Sequence, residues 1–337
     1  MILYLAGSTS PGQLELAANR AGANNFLFSF ADVQAQKCAK RFCVQLQRRI
    51  FIDSGAYSVW ASRRKRTKIK LGEYIAFCKQ IMGMRNCPVV FAALDVIPGK
   101  KSDCPDDPTA DEIKRACDDG WANYMAMKQA GISPCLMTFH QFEPIRQLTR
   151  IVDDSDYFAV SPRKCGVSDK EKLEWLDGIF RNFGPPRKIH GLGVFSKDLM
   201  ERFPFFSVDN TGWVQSGKFN LRFHISGGRP VAWKLKQWKR LAREHGMPTL
   251  HLAEMLGYGP RGPQDSSGYP WLWYLAMDAL LETEQCVTQF WRNKGVVWDE
   301  QEHETTDIRA YFRERSAKIN AELRTAAERD EESREKG

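Results

Sequence analysis

The sequence lacks several features that would assign a chain of 337 residues to a familiar class. Its nine cysteines form no CxxC pair, so the common zinc-ligand and redox spacings are missing. No segment approaches the roughly 20 apolar residues that a membrane-spanning helix needs. No GxxxxGK[ST] loop is present to bind nucleotide phosphates. These absences argue against a zinc finger, an integral membrane protein and a P-loop nucleotide-binding protein.

Positive charge is in excess, because 49 lysines and arginines face 41 acidic residues and leave a net charge of +8. Such an excess suits a polyanionic partner such as nucleic acid. Scattered cysteines are typical of reduced thiols in the cytosol. The opening run MILYLAG lacks the basic start of a signal peptide and is interpreted as a buried strand. We therefore expect a soluble, cytoplasmic protein with no membrane association.

Short apolar runs that end in polar residues or glycine recur through the first two thirds of the chain. Near-continuous apolar runs are typical of strands buried on both faces of a parallel sheet. Thr109 and Ser168 are predicted helix N-caps, and Gly131 and Gly184 are predicted helix ends. The predicted strands are 2–7, 25–30, 49–55, 89–95, 135–140, 157–162, 188–194 and 205–210, and the predicted helices are 108–131, 168–184 and 196–203.

This alternation of strand and helix signals predicts a TIM-type (β/α)8 barrel, with a doubly wound open sheet as the alternative. We expect the barrel to occupy residues 1–246 and a C-terminal helical extension to occupy 247–337. The extension is predicted to contain a Gly/Pro-rich loop at 257–270, an aromatic-rich helix at 271–293, and a charge-rich helix from 299 that ends in a flexible tail after about 320.

Three of the predicted strands end in aspartate, at Asp53, Asp95 and Asp209. A single such residue is usually a turn residue or an N-cap. In a barrel, however, the carboxyl ends of the strands meet at one face, where reacting groups lie. Converging carboxylates are unfavourable unless their charge is used, so we predict an active site there. Glycosyl transfer through a covalent intermediate requires two carboxylates that divide the acid/base and nucleophilic roles.

Two segments carry a resemblance to a known family. DSGAYS (53–58) resembles the DSGGFQ motif of tRNA-guanine transglycosylases, and KIHGLGVFSKDLMERFPFFSVDNTGW (188–213) resembles the segment that leads to their nucleophile. The family's zinc-binding cysteines have no counterpart, because no cysteine occurs between Cys165 and Cys286. The chain is therefore most similar to the phage-type 7-deazaguanine DNA transglycosylases. This resemblance covers roughly residues 45–215 in motif order and implies a barrel enzyme that exchanges guanine in DNA.

The resemblance implies roles for individual residues. Asp209 matches the nucleophile that would attack the sugar C1′, and Asp53 matches the general acid/base that moves the proton of the departing and incoming bases. Tyr57 matches an aromatic residue that stacks on the purine. Asp95 matches an acidic residue that reads guanine, because a carboxylate can accept hydrogen bonds from N1–H and the exocyclic amine together.

Further residues match base-contacting positions of the same family. Glycine in the 191–193 loop would let the backbone pass close to the base, and an ordinary strand-end turn is the structural alternative. His140 occupies the place of a glutamine that contacts the base, with Gln141 one position away, and a structural histidine is the alternative. The matches in this group are Ser54, Gly55, His140, Gln141, Gly191, Leu192 and Gly193.

Two basic segments are candidates for phosphate contacts, although a solvated surface is the usual explanation for such clusters. The first is the loop at 61–70, which directly follows the Asp53 motif. The second is one face of a predicted helix at 234–243. The predicted contacts are Arg63, Arg64, Lys65, Arg66, Lys68 and Lys70 in the loop, and Lys236, Lys239, Arg240 and Arg243 in the helix.

No set of four metal ligands at a known zinc spacing is present, so we predict no structural zinc and no cofactor. The expected partners are DNA and a free 7-deazaguanine base such as preQ0, in the host cytoplasm if a phage encodes the chain. Two alternatives remain: a tRNA-guanine transglycosylase without zinc, and a non-catalytic nucleic-acid-binding barrel. The sequence leaves the oligomeric state open.

Overall fold

The computed structural model describes residues 1–10, 14, 23–46, 48–61, 68–84, 87–99, 107–163, 166–194, 196–214, 221–226, 229–234 and 270–298. All eight predicted strand regions form strands, and their central residues are buried as expected of a parallel sheet covered on both faces. The strands are β1 Ile2–Leu5, β2 Asn25–Ser29, β3 Arg49–Asp53, β4 Val89–Ala92, β5 Cys135–Leu136, β6 Thr138–His140, β7 Tyr157–Ser161, β8 Lys188–Gly191 and β9 Ser207–Asn210.

The nine strands are hydrogen-bonded in the order β5-β4-β3-β2-β1-β9-β8-β7-β6, and every pair is parallel. The two ends of this order, β5 and β6, are separated in sequence by Met137 alone. On one side of this split strand, Ala93 N–H donates to Leu136 O at 2.7 Å, and on the other, Ala159 N–H donates to Met137 O at 2.9 Å. The sheet is therefore a nearly closed (β/α)8-type barrel, which confirms the predicted fold and excludes the open sheet.

Helices alternate with the strands and begin at the predicted caps. The Thr109 and Ser168 side chains each accept a hydrogen bond from the backbone N–H three residues later, and Glu112 and Glu171 complete the two capping boxes. The helices are α1 Val33–Arg41, α2 Ala56–Trp60, α3 Leu71–Met84, α4 Ala110–Gln129, α5 Ile145–Asp154, α6 Asp169–Phe183, α7 Lys197–Arg202 and α8 Pro270–Asn293, with a π-helical turn at Phe42–Leu46.

The chain divides into two compact units, of which the first contains Met1–Thr211 and Val287–Val297. The second contains an antiparallel hairpin of β10 Leu221–Ser226 and β11 Arg229–Lys234, which the sequence analysis did not predict. The predicted aromatic-rich helix is confirmed as α8. The predicted boundary at 246, the segment after 299 and the predicted loop at 257–270, except for Pro270 at the start of α8, lie outside the described residues. No helix in the described part of the chain is both long and apolar enough to cross a bilayer.

Candidate active site

Aromatic contacts identify the side chains that point into the barrel. Phe51 of β3 stacks on His190 of β8 with ring centroids 4.5 Å apart, and Tyr4 of β1 contacts both rings. Because β3 and β8 are not neighbouring strands, these rings meet in the barrel interior. Side chains alternate along a strand, so Asp53, two residues after Phe51, also faces inward at the carboxyl end of β3.

The same reasoning applies to Asp209. Ser207 Oγ lies 2.7 Å from His190 Nδ1, so Ser207 is an interior residue of β9, and Asp209 follows it by two positions. Asp53 and Asp209 therefore face the interior from the carboxyl ends of two strands that are separated by β2 and β1.

The turn after Asp53 is tightly specified. Gly55 N–H donates to Asp53 Oδ2 at 3.1 Å, and Gly55 has φ = +84°. A Cβ on Gly55 would lie 2.3 Å from the Cβ of Ala31, so glycine is required by both conformation and space. Ser54 is fully buried, and its Oγ accepts a hydrogen bond from Ala56 N–H at 3.2 Å, at the start of α2.

Asp95 is held through both of its carboxylate oxygens. Ser54 Oγ donates to Oδ1 at 3.2 Å, and His140 Nε2 lies 2.9 Å from Oδ2. Only 10% of the Asp95 side chain and 7% of the His140 side chain are exposed. Burial lowers the pKa of His140, but Asp95 and, more weakly, Glu143 outweigh that effect and raise it above its ordinary value. The structure thus brings three predicted residues, from the carboxyl ends of β3, β4 and β6, into one buried cluster.

Glu143 belongs to this cluster but was not identified from the sequence. It is buried, and its Oε2 accepts the backbone N–H of His140 at 3.1 Å. Burial raises the pKa of Glu143 to about 7, although His140 opposes the shift. The preceding residue, Phe142, has φ = +81°, an unfavourable value for a phenylalanine, and this turns Glu143 back towards the barrel strand. The sequence signal that could have identified Glu143 is its position three residues after His140, the last residue of a predicted strand.

Two neighbouring carboxylates act on Asp53. Burial raises the pKa of Asp53 to about 7, the charge of Asp95 adds to this shift, the hydrogen bond from Gly55 opposes it, and the charge of Asp209 raises it further. A group with a pKa near 7 can both donate and accept a proton at neutral pH, which is the property required of a general acid/base. Asp53 therefore lies close enough to Asp95 and Asp209 for both charges to act on it.

Asp209 lies beside a backbone hydrogen-bond donor and a buried histidine. Gly193, which has φ = +62°, donates its N–H to Asp209 Oδ1 at 2.8 Å, and His190 Nε2 is 3.7 Å from the same oxygen. Leu192 N–H is bonded to Val160 O at 2.9 Å. A Cβ on Gly191 would lie 2.9 Å from the Phe205 ring, so packing outside the barrel already accounts for that glycine. Close approach of a base to this loop remains a prediction.

The other predicted base-contacting residues differ in exposure. Tyr57 on α2 is 41% exposed, and its ring centroid lies 5.8 Å from that of Trp60. Trp60 Nε1 donates to Gly99 O at 2.9 Å, which anchors this aromatic pair. Gln141 is buried, and its Oε1 accepts the N–H of Arg163 at 3.0 Å, so its amide oxygen links the ends of β6 and β7.

Little of the predicted phosphate-binding surface lies in the described part of the chain. Lys68 and Lys70 are exposed, and Lys70 Nζ is paired with Glu73 Oε1 at 2.9 Å. The remaining cations are outside the described residues: Arg63, Arg64, Lys65, Arg66, Lys236, Lys239, Arg240 and Arg243. Within the described ranges, no group of three or more histidine, cysteine, aspartate or glutamate side chains could hold a metal ion.

In comparisons with models of protein families and with curated protein sequences, no match to this chain was found.

Proposed function

We propose that this protein is a DNA guanine transglycosylase, which exchanges guanine in DNA for a free 7-deazaguanine base such as preQ0. The observation that carries this proposal is the pair of inward-facing carboxyls, Asp53 and Asp209, at the same end of the barrel. They are electrostatically coupled and have different surroundings, which suits a division of roles between acid/base and nucleophile.

In the first step, an oxygen of Asp209 bonds to the sugar C1′ as the bond from C1′ to guanine N9 breaks. Asp53, whose pKa is raised to about 7, transfers its proton to the departing base. The transition state has oxocarbenium character, so carboxylate charge in a partly buried site favours it. The product is a glycosyl ester on Asp209 together with free guanine.

In the second step, a 7-deazaguanine base occupies the same place. Its N9–H proton passes to Asp53, N9 bonds to C1′, and the bond between C1′ and the Asp209 oxygen breaks. Both the Asp209 carboxylate and the Asp53 proton are restored, and two inversions give net retention at C1′. The exchange therefore consumes no oxidant, reductant or nucleoside triphosphate.

Recognition of the base is assigned to Asp95 and Tyr57. Ser54 contacts one carboxylate oxygen of Asp95 and His140 contacts the other. Each oxygen has a second lone pair, which can accept a hydrogen bond from guanine N1–H or from the 2-amino group. The exposed Tyr57 ring suits stacking on the purine, which must be flipped out of a duplex or presented in a single strand. Gln141 and the 191–193 loop are assigned to the rim of the same base site.

Mass spectrometry of nucleosides tests the proposal directly. Double- and single-stranded DNA, and in parallel tRNA, are incubated with the enzyme and a 7-deazaguanine base and then digested. The modified deoxynucleoside is expected from DNA and should be absent with Asp209→Asn. Asp156→Asn is the matched control, because Asp156 is 91% exposed and precedes β7 at the opposite end of the barrel.

The outcomes separate the three functions. Exchange into tRNA alone would replace the DNA assignment with the zinc-free tRNA enzyme. Binding of nucleic acid that is identical in the parent and the Asp209→Asn variant, with no exchange into either substrate, would support the non-catalytic barrel and overturn the proposal.

A further inference from the structure

A chain of polar side chains runs through the barrel interior towards Asp209. Tyr157 OH, at the start of β7, lies 2.8 Å from Ser207 Oγ, at the start of β9. Ser207 Oγ lies 2.7 Å from His190 Nδ1, and the other ring nitrogen, Nε2, is 3.7 Å from Asp209 Oδ1. Three side chains thus lead from the amino ends of the strands to the proposed nucleophile.

The histidine ring in this chain is buried and packed against two aromatic rings. His190 is 0% exposed, stacks on Phe51, and has the edge of Tyr4 against it. Its Cα is in register with Ser207 on the neighbouring parallel strand, which places the two side chains side by side on the interior face. Nε2 has no hydrogen-bond partner among the described residues, although it is buried. A buried imidazole nitrogen without a partner is unfavourable unless some state of the protein uses it.

The direction of the hydrogen bonds follows from the carboxylate at the end of the chain. A neutral imidazole carries its proton on either Nδ1 or Nε2. A proton on Nδ1 would point the Nε2 lone pair at Asp209 Oδ1, and two electron-rich atoms would then face each other. A proton on Nε2 presents a donor to the carboxylate, and Nδ1 then accepts from Ser207, which in turn accepts from Tyr157.

We propose that His190 is a positioning residue for Asp209, held by Tyr157 and Ser207 as the tautomer that presents Nε2–H to the nucleophile. The role assigned to Asp209 rests on the proposed function. At 3.7 Å the contact is longer than a hydrogen bond, so the two groups must approach each other during the reaction. Nε2–H and Gly193 N–H then both donate hydrogen bonds to Oδ1, which leaves Oδ2 free to bond to C1′.

This arrangement helps both chemical steps. When Oδ2 bonds to C1′, Oδ1 becomes the carbonyl oxygen of the ester, and the two donors fix its direction. When the incoming base displaces Asp209, the same donors stabilise the carboxylate that leaves. His190 does not exchange a proton with the substrate in either step.

Single-turnover kinetics test the positioning role. Enzyme and DNA are mixed without incoming base, and the enzyme–DNA adduct that survives denaturation is measured over time. His190→Phe should slow adduct formation about 10- to 100-fold, because Oδ2 is then no longer held in line with C1′. His190→Gln, whose amide nitrogen can replace Nε2–H, should restore most of the rate. Both variants should keep the parent dissociation constant for the incoming base, which a general loss of structure would not.

Ser207→Ala provides a second variant in case a buried phenylalanine prevents folding. It removes one oxygen and leaves Nδ1 without its donor, and we expect about a fivefold slower adduct formation, as for one neutral hydrogen bond. Equal rates for the parent, His190→Phe and Ser207→Ala would overturn the positioning role.

Nitrogen-15 NMR of the imidazole groups tests the hydrogen-bond chain without reference to activity. The chain has six histidines, and His190→Gln identifies the signal of interest. The Nε2–H tautomer is expected, with a signal that moves in Asp209→Asn, and an Nδ1–H tautomer would overturn the inference. If the parent forms no adduct with DNA or tRNA, the proposed function fails, and the tautomer measurement still decides the hydrogen-bond chain.

Discussion

The two sides of the proposed active site surround their carboxyls in different ways. On the side of β3, β4 and β6, Asp53 lies near Asp95, which is paired with His140 beside the buried Glu143. On the side of β8 and β9, Asp209 faces the Gly193 N–H and the His190 ring. In the proposed function, the first side controls where protons reside, and the second controls the direction of one carboxylate. Residue type alone therefore does not assign the proposed roles, because the two aspartates differ in their neighbours and not in their chemistry.

Removing each carboxyl in turn gives the largest expected contrast. Asp209→Ala should form no adduct with DNA, because no atom remains to bond to C1′. Asp53→Asn should still form the adduct, but about 100- to 10,000-fold more slowly, which is the usual contribution of general acid/base catalysis. Adduct on a denaturing gel, measured over hours, distinguishes the two variants. If Asp209→Ala forms the adduct, or if Asp53→Asn is the variant that forms none, the roles of nucleophile and acid/base would have to be exchanged between the two aspartates.

The pH dependence of adduct formation sharpens the same contrast. Asp53 must carry a proton to assist the departing guanine, and its pKa is raised to about 7. The single-turnover rate should therefore be constant below about pH 6 and fall about tenfold per pH unit well above pH 7. The Asp53→Asn variant should lose this dependence. Because the pKa of Glu143 is also about 7, Glu143→Gln is the matched control and should keep it.

Sequence reasoning predicted the barrel because its signals are local. Strands buried on both faces give continuous apolar runs, and the caps at Thr109 and Ser168 are visible within four residues. The three aspartates were found by the same local signal, because each of them comes at the end of an apolar run. The β10–β11 hairpin was missed, although Gly227–Gly228 between two runs rich in strand formers is a recognised turn signal.

Contacts between distant parts of the sequence could not be predicted in the same way. The pairing of His190 with Ser207 depends on the register of two parallel strands joined by a helix, and no spacing rule gives that register. The position of Glu143 depends on an unusual φ at Phe142. The environments that distinguish Asp53 from Asp209 are therefore properties of the fold and not of their motifs.

The turn beneath Asp53 should be the more sensitive of two glycine turns with the same backbone angle. Gly55 and Gly131 both have φ = +84°, but a Cβ on Gly131 would meet nothing within 4 Å. Gly131→Ala should lower the free energy of unfolding by about 1–2 kcal/mol, the cost of the left-handed conformation. Gly55→Ala should lower it by about 2–5 kcal/mol, because overpacking is added. Urea denaturation measures both, and equal losses would show that space at Gly55 is not limiting.

Stability should depend on pH through the acidic side of the site. Burial raises the pKa of Glu143 to about 7 in the folded protein, whereas an ordinary glutamate has a pKa of about 4.3. The folded state therefore holds a proton that the unfolded chain has released, and the resulting stability is full below about pH 4 and lost as pH rises through 7.

Glu143→Gln removes this titration while keeping an oxygen for the His140 N–H. The variant should be about 1–3 kcal/mol more stable than the parent at pH 8, with the advantage shrinking towards pH 5 and vanishing near pH 4. Chemical denaturation at pH 5, 6, 7 and 8 provides the measurement. Glu174→Gln is the control, because the Glu174 side chain is 63% exposed. A stability difference that does not change with pH would contradict the shifted pKa of Glu143.

The smallest expected effects concern the two lysines at the end of the basic loop. Lys70 is paired with Glu73, whereas the structure shows no ion pair for Lys68 within the described residues, so Lys68 is the better phosphate contact of the two. Lys68→Ala should reduce the slope of log affinity for DNA against log salt by about 0.9, and Lys70→Ala by less. Glu73→Gln should strengthen binding slightly by releasing Lys70. Lys37→Ala on α1 is an exposed control, and an equal loss with Lys37→Ala would mean that only net charge matters.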